Sequence, residues 1–454
     1  MVGHHKGKDQ GNLFHPALSD FIDPEHPLVE LAERIPWDDL EEELSVHYSH
    51  TGRASKPIRL MVGLLILKRT ENLSDENVVA RWVRDPYYQF FCGETHFQWE
   101  FPCEPSDLVH FRDRIGEEGV ERIFQLSVDM NGNDADRDEL TIDSTSHTKD
   151  ITYPTDVKLA ERIAEKCWSI RDREGLHLRQ SYTRKIKACM KDSYFGHHPT
   201  RKKKARKARK KVRTYAGRLV RDVRRKLPPA LLEEYEEELT FYERVLSQKK
   251  HDKHKIYSIH EPHVACIAKG KAHPKYEFGS KVSIAMTSST GVIVGVKNFT
   301  GNPHDTKTIE PTLEHAKRIM NRDDIREVTG DRGYRGRSWV GDTRINNPYN
   351  SKGRTEYEKK KYRRKFRRRA AIEPIIGHVK RDHRMARNHL KGEVGDTINA
   401  MMAAAGFNFR RVLAKIGAEI LVLFRKWGYM VKNFLIIFKP KASVLIGSSL
   451  GRSF

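Results

Sequence analysis

Three acids, Asp143, Asp331 and Glu373, lie in sequence settings suited to phosphoryl transfer. Asp143 closes the alternating run ELTID and Asp331 follows REVTG, so each reads as the polar residue at a strand end, the edge where open α/β sheets place their sites. Glu373 falls in RRKFRRRAAIEPIIGHVKRDHRM, where Arg369, Glu373 and Lys380 are related by four and seven positions and share one helical face. Singly, the aspartates read as turn or cap residues and the helix as a solvated stripe of ion pairs. Together, beside concentrated positive charge, they supply the hard oxygen ligands of two-metal phosphodiester chemistry, which holds two divalent ions roughly 3.5–4 Å apart. One ion lowers the pKa of an attacking water or 3′-hydroxyl and the other stabilises the leaving oxygen. Mg²⁺ suits such ligands, with Mn²⁺ as a substitute. His147, His304 and His378 lack ligand spacing and read as ordinary histidines.

Around the acids, Arg369 offers a planar fork for a phosphate and Lys380 a point charge. Pro374 cannot donate an N–H, so the helix either kinks or begins anew near Glu373, and the fresh start is preferred because it fixes the acid at a helix end. In Arg332-Gly333-Tyr334-Arg335-Gly336 the glycines allow close backbone approach, and Tyr334 and Arg335 are expected to touch DNA. Tyr153-Pro154-Thr155-Asp156 is expected to shape a loop, and Trp168 to be a core residue.

The elements that carry these residues belong to a chain of 454 residues, long enough for two or three domains. Lys and Arg number 84 against 61 acids, net +23. Residues 201–226 hold fifteen basic residues and one Asp (+14), and residues 352–369 hold eleven and two Glu (+9). These two stretches equal the whole excess, so the basicity is placed at sites and points to a polyanion. Arg201, Lys202, Lys203 and Lys204 open the first stretch and are expected to track phosphates. Five scattered cysteines form no Cys-x-x-Cys pair and fit a reducing cytoplasm. The start MVGHHKGKDQ has no apolar stretch, so no secretory signal is expected. The apolar segment Ile420 to Phe438 is broken by Arg425, Lys426 and Lys432, each costly at a bilayer centre, and reads as a terminal helix packing on protein, with a membrane span as the distant alternative.

Residues 1–130 read as short helices, with Ser74 a candidate N-cap. A turn-rich linker leads to the strand of Asp143. Long charged helices follow, broken near Pro199 and Pro228-Pro229. The hairpin GSKVSIAMTSSTGVIVGVKNFTG comes next, then a helix from Pro311, the short strand before Asp331 and the helix of Glu373. This is a mixed α/β domain interrupted by a helical insertion. The expected divisions are a helical N-terminal domain at 1–130, a catalytic domain in two parts at 131–159 and 257–415, a basic insertion at 160–256 and a helical tail at 416–454.

Across most of its length the sequence resembles the bacterial insertion-sequence DDE transposases, in particular the insertion-sequence-five group. The matching stretches are TIDST with ITYPTDVKLAERIAEKC, GNPHDTKTIEP, VTGDRGYRG, and AAIEPIIGHVKRDHRMARNHLKG with GDTINAMMAAAGFNFRR. The resemblance implies an RNase H-like catalytic domain with its acids at Asp143, Asp331 and Glu373, all three holding the metal. It implies binding to terminal inverted repeats, phosphodiester cleavage there, and attack of the freed 3′-hydroxyl on target DNA. By analogy with relatives it also implies a homodimer or larger assembly at the nucleoid, with no small-molecule substrate. Related elements carry Tyr-x2-Arg-x3-Glu-x6-Lys around the third acid; here Arg369, Glu373 and Lys380 are in register, but Phe366 replaces the Tyr. Two rival readings stay open on sequence alone: a non-catalytic DNA- or RNA-binding protein on the same scaffold, and an RNase H-like nuclease that joins no strands.

Overall fold

A computed structural model describes residues 1–3, 16–194, 196, 198–249, 251–268, 275–334, 336–348 and 355–437, with side chains to residue 422. The N-terminal helices are α1 (Pro27–Arg34), α2 (Trp37–Ser45), α3 (Ile58–Thr70), α4 (Asp75–Trp82), α5 (Pro86–Phe91) and α6 (Pro105–Asp129). Helix α3 is apolar on nearly every side and buried from Leu60 to Thr70, as an interior helix must be. Ser74 caps α4 as expected, its hydroxyl accepting the Asn77 N–H at 3.1 Å.

The sheet opens with β1 (Glu139–Thr148) and resumes, after helices α7 (Asp156–Arg173), α8 (Thr183–Ser193), α9 (Lys202–Lys226) and α10 (Pro229–Ser247), with β2 (Ala265–Ala268), β3 (Tyr276–Thr287) and β4 (Ile293–Phe299). Helix α11 (Ile309–Met320) leads to β5 (Glu327–Thr329), then β6 (Trp339–Val340) and β7 (Thr343–Asn346). Helices α12 (Glu356–Arg369), α13 (Ile372–Asp382) and α14 (Gly392–Ile437) close the described chain. Strand β3 runs antiparallel to β1 on one side and to β4 and β2 on the other; β1–β5 and β5–β7 are parallel. The sequence β4-β3-β1-β5-β7, three antiparallel strands continued by two parallel ones, is the RNase H-like mixed sheet that the resemblance implies.

The four inserted helices bury an apolar cluster of their own. On α9 the small residues Ala205, Ala208, Val212, Ala216, Leu219, Val220 and Val223 recur at helical spacing and face inward, leaving the basic residues between them outside. Trp168 is half-buried against this cluster and donates its indole N–H to the Ser181 carbonyl at 2.8 Å. The N-terminal helices, by contrast, share one continuous core with the sheet. Helix α14 joins them: its run Ala400 to Ala405, with Phe409, Val412 and Ile416, belongs to the same core as Leu64, Phe124 and Val294. It is unbroken across residues 415 and 416, where the sequence reading set a boundary. Among the described residues no helix is long and apolar enough to cross a membrane; residues 438–454 of the expected tail lie outside them.

Buried polar residues tie these parts together. Arg69 of α3 donates to Asn399 Oδ1 at 2.8 Å and to the His383 carbonyl at 3.2 Å, and the Asn399 amide donates to His147 Nε2 at 2.8 Å. Burial, with the positive charges nearby, pushes both His147 and His383 down to about 4. Because the folded-state value lies below the unfolded one, the stability this confers is complete above about pH 6.5 and is lost as pH falls through 4. Each histidine contributes on the order of 3 kcal/mol to that loss. Chemical denaturation at pH 7.5, 5.5 and 4.5 should show the midpoint falling, and His147→Gln should flatten the fall; a flat wild-type profile would contradict the assignment.

Candidate active site

The sheet sets two of the acids. Thr141 of β1 lies opposite Thr329 of β5 in parallel register, so Asp143 and Asp331, each two residues further on, stand at the same level along the two strands. Asp143 is not at its strand's end as the alternation suggested. It pairs with Ile284 and β1 runs five residues beyond it, because β3 continues the ladder to Gly279. Asp331 does lie beyond its strand, where Arg332–Tyr334 form a 3-10 turn and the Gly333 N–H donates to Asp331 Oδ1 at 2.7 Å.

The third acid arrives on a helix that starts afresh. Helix α12 ends at Arg369, Ala370 and Ala371 keep helical dihedrals, and α13 begins at Ile372, which puts Glu373 and Pro374 in a first turn where the missing N–H of proline costs nothing. The near-helical link preserves the four-residue relation: Arg369 Nη2 lies 3.4 Å from Glu373 Oε1, while its Nη1 lies 3.6 Å from Asp143 Oδ2. One guanidinium therefore spans the first and third acids. Asp143 accepts the Ser144 N–H at 2.8 Å, yet burial, with Asp331 and Glu373 close by, raises its carboxyl to about 6.

Three residues that sequence reasoning passed over stand against these acids. The Ser144 hydroxyl donates to Asp305 Oδ1 at 2.6 Å, and the Lys281 ammonium lies 3.0 Å from the same oxygen while donating to the Pro303 carbonyl at 2.7 Å. Asp305 opens a 3-10 turn after the Gly-Asn-Pro loop that follows β4, and its place in the stretch GNPHDTKTIEP was the available signal.

The expected DNA contacts fall in different places. Tyr334 is 1% exposed: Gly330 leaves room for its ring, which a Cβ there would meet at 2.7 Å, so it lies in the core and cannot stack on a base in this arrangement. Arg335 lies outside the described residues. Lys380 is half-buried on α13 and close enough to His147 to help depress its pKa. Phe366 packs its ring against Tyr362, 4.8 Å between centroids. Arg201, Lys202, Lys203 and Lys204 stand exposed at the start of α9, Lys204 paired with Asp192 at 2.8 Å, far along the chain from the acids. Nearer to them, α12 presents Lys361, Arg364, Lys365 and Arg368 to a cleft of about 200 Å³ that also touches Thr329, two residues before Asp331.

The donor chemistry fits a divalent cation. The converging groups are three carboxylates without thiol or imidazole, and crowding of like charge around the buried Asp143 is what such a cation relieves. Among the described residues no three acids stand as a finished cage, and the Arg369 guanidinium is within 3.6 Å of Asp143 and 3.4 Å of Glu373.

An RNase H-like sheet with Asp143 on a central strand, Asp331 just beyond the neighbouring one and Glu373 on a following helix fits a metal-dependent phosphoryl-transfer enzyme. Comparison with known proteins agrees. Residues 16–114 match the family described as Transposase domain (DUF772), and residues 246–409 match the Transposase DDE domain. The chain is also similar to a Rhizobium meliloti protein named "Uncharacterized protein ORF8 in nfe locus", at 38% identity over 183 residues, which cover 39% of this chain and 88% of that one. No solved structure matches it. The chain belongs to the insertion-sequence DDE transposases and is a metal-dependent DNA transposase, which sets aside the non-catalytic reading. The DDE match begins after Asp143, so the first acid rests on geometry.

Proposed function

We propose that this transposase, a relative of the insertion-sequence-five group, binds the terminal inverted repeats of its element, hydrolyses phosphodiesters there, and joins the freed 3′-hydroxyl to target DNA. The observation that carries the site assignment is the position of Arg369, within 3.6 Å of Asp143 and 3.4 Å of Glu373, which brings acids 230 residues apart around one guanidinium. Asp143, Asp331 and Glu373 would hold two Mg²⁺ ions, replaceable by Mn²⁺, which supply activation of the attacking hydroxyl and stabilisation of the leaving oxygen.

The protein's own groups position the DNA. Arg369, drawn off the acids, turns its fork to the scissile phosphate, and Lys380 adds a charge further along α13. The basic face of α12 leads the strand toward the acids, and the start of α9, with Arg201 to Lys204, holds phosphates at a distance. Residues 1–130 recognise element ends or mediate assembly, the insertion at 160–256 clamps duplex, and the catalytic parts at 131–159 and 257–415 join at the sheet. Two ends must meet, so the working form is at least a dimer, acting in the cytoplasm on the nucleoid.

Purified protein incubated with end-bearing duplex and Mg²⁺ should release nicked strands and then joined products. Tight end binding with no cleavage in either Mg²⁺ or Mn²⁺ would overturn the proposal, and cleavage without joining would reduce it to a nuclease.

A further inference from the structure

We propose that Asp305, neutralised by Lys281, is a positioning residue that holds the two sheet aspartates in register; this rests on the reading of Asp143 and Asp331 as cation-holding acids. Its two oxygens face the sequence neighbours of both. Oδ1 accepts the Ser144 hydroxyl at 2.6 Å, and the Ser144 N–H in turn donates to Asp143 Oδ1 at 2.8 Å. Oδ2 borders Gly333, whose N–H donates to Asp331 Oδ1 at 2.7 Å. A Cβ at Gly333 would meet Asp305 Oδ2 at 2.5 Å and Asp331 Oδ1 at 2.9 Å, so both carboxylates occupy the space a side chain would need there and only glycine admits them.

Asp305 can hold this place because its charge is met. Lys281 comes from β3, the strand antiparallel to β1, and its ammonium is fixed between Asp305 Oδ1 and the Pro303 carbonyl. A fourth carboxylate would otherwise compete for the cations or repel its neighbours; paired with the Lys281 ammonium, it accepts hydrogen bonds as half of an ion pair with no net charge. The arrangement joins four segments of the chain: β1, β3, the loop after β4, and the turn after β5. That turn and β1 carry the acids whose separation decides whether a pair of ions fits. Partners that orient ligand-bearing groups typically change metal affinity 10–100-fold when removed.

Mn²⁺ binding to the full-length protein, followed by the electron paramagnetic resonance of free and bound ion, tests this without requiring transposition. Asp305→Ala should weaken Mn²⁺ binding about 10–100-fold, whereas Asp305→Asn, which keeps an acceptor for Ser144 and Lys281, should bind within about fivefold of wild type. Wild-type affinity in Asp305→Ala would overturn the proposal. Equal weakening in both variants would also overturn it, because the charge itself would then be the ligand. Should Asp305→Ala fail to fold, Ser144→Ala carries the test, with a several-fold loss expected and wild-type affinity refuting. Asp143→Asn is the reference: if it binds Mn²⁺ as wild type does, the reading of the acids fails, and the role of Asp305 fails with it.

Discussion

Replacing any one acid, as Asp143→Asn, Asp331→Asn or Glu373→Gln, is expected to reduce strand cleavage and joining by at least about 10³-fold while DNA affinity stays within a few-fold of wild type. Each substitution keeps size and removes one anionic ligand, so the loss falls on the chemistry and not on the basic surfaces that hold DNA. For Asp143 the effect on stability should have the opposite sign. Its carboxyl is raised to about 6 from 3.8 by burial and neighbouring acids, and the side chain is only 17% exposed. A raised value means that the associated stability is present below about pH 4 and is lost as pH rises through 6. Without metal at pH 7.5, Asp143→Asn should therefore stabilise the fold by on the order of 3 kcal/mol. A dead variant with a higher melting temperature in chelator cannot be explained by misfolding. A variant that is dead and less stable would count against the site, and full activity in any of the three would refute it.

DNA affinity is expected to fall about 10³–10⁵-fold between 50 and 200 mM salt, as neutralisation of six to ten phosphates requires. Helix α9 is the main reason. Its 25 residues extend roughly 37 Å, about one turn of duplex, and its apolar stripe already satisfies the insertion's core, so the exposed charges are not needed to fold it. Lys202, Lys203, Arg206 and Lys207 are exposed and form no ion pair among the described residues. Changing these four to Gln should reduce the slope of log affinity against log salt by roughly three to four, at about 0.9 for each phosphate no longer neutralised. Fluorescence anisotropy on a labelled duplex measures this directly, and an unchanged slope would move the phosphate-binding surface to α12.

Local signals were legible where the chemistry is local. Pro374 announced the helix start that presents Glu373, Ser74 announced its cap, and the alternation around Ile142 marked β1 while the short run before the Gly-rich turn marked β5. What failed to show depends on pairing at a distance. The length of β1 beyond Asp143 is set by β3, more than 130 residues away, whereas the alternating apolar residues end at Ile142. Tyr334 reads as a surface aromatic in a Gly-rich turn until Gly330 is seen to make space beneath the sheet edge for its ring. Asp305 and Ser144 are 161 positions apart and have no shared pattern. The core shared by N-terminal helices and sheet was hidden for the same reason, since an apolar stripe such as that of α6 does not name the surface it will cover.

The placement of α14 bears on how copies of such an element decay. All three acids are encoded before this helix begins, yet its apolar face is the wall on which α3, α6 and β4 close. A premature stop codon after residue 391 would leave every ligand in the open reading frame and still yield a polypeptide unable to complete its interior, so a gene remnant of that kind is silent despite an intact acidic signature.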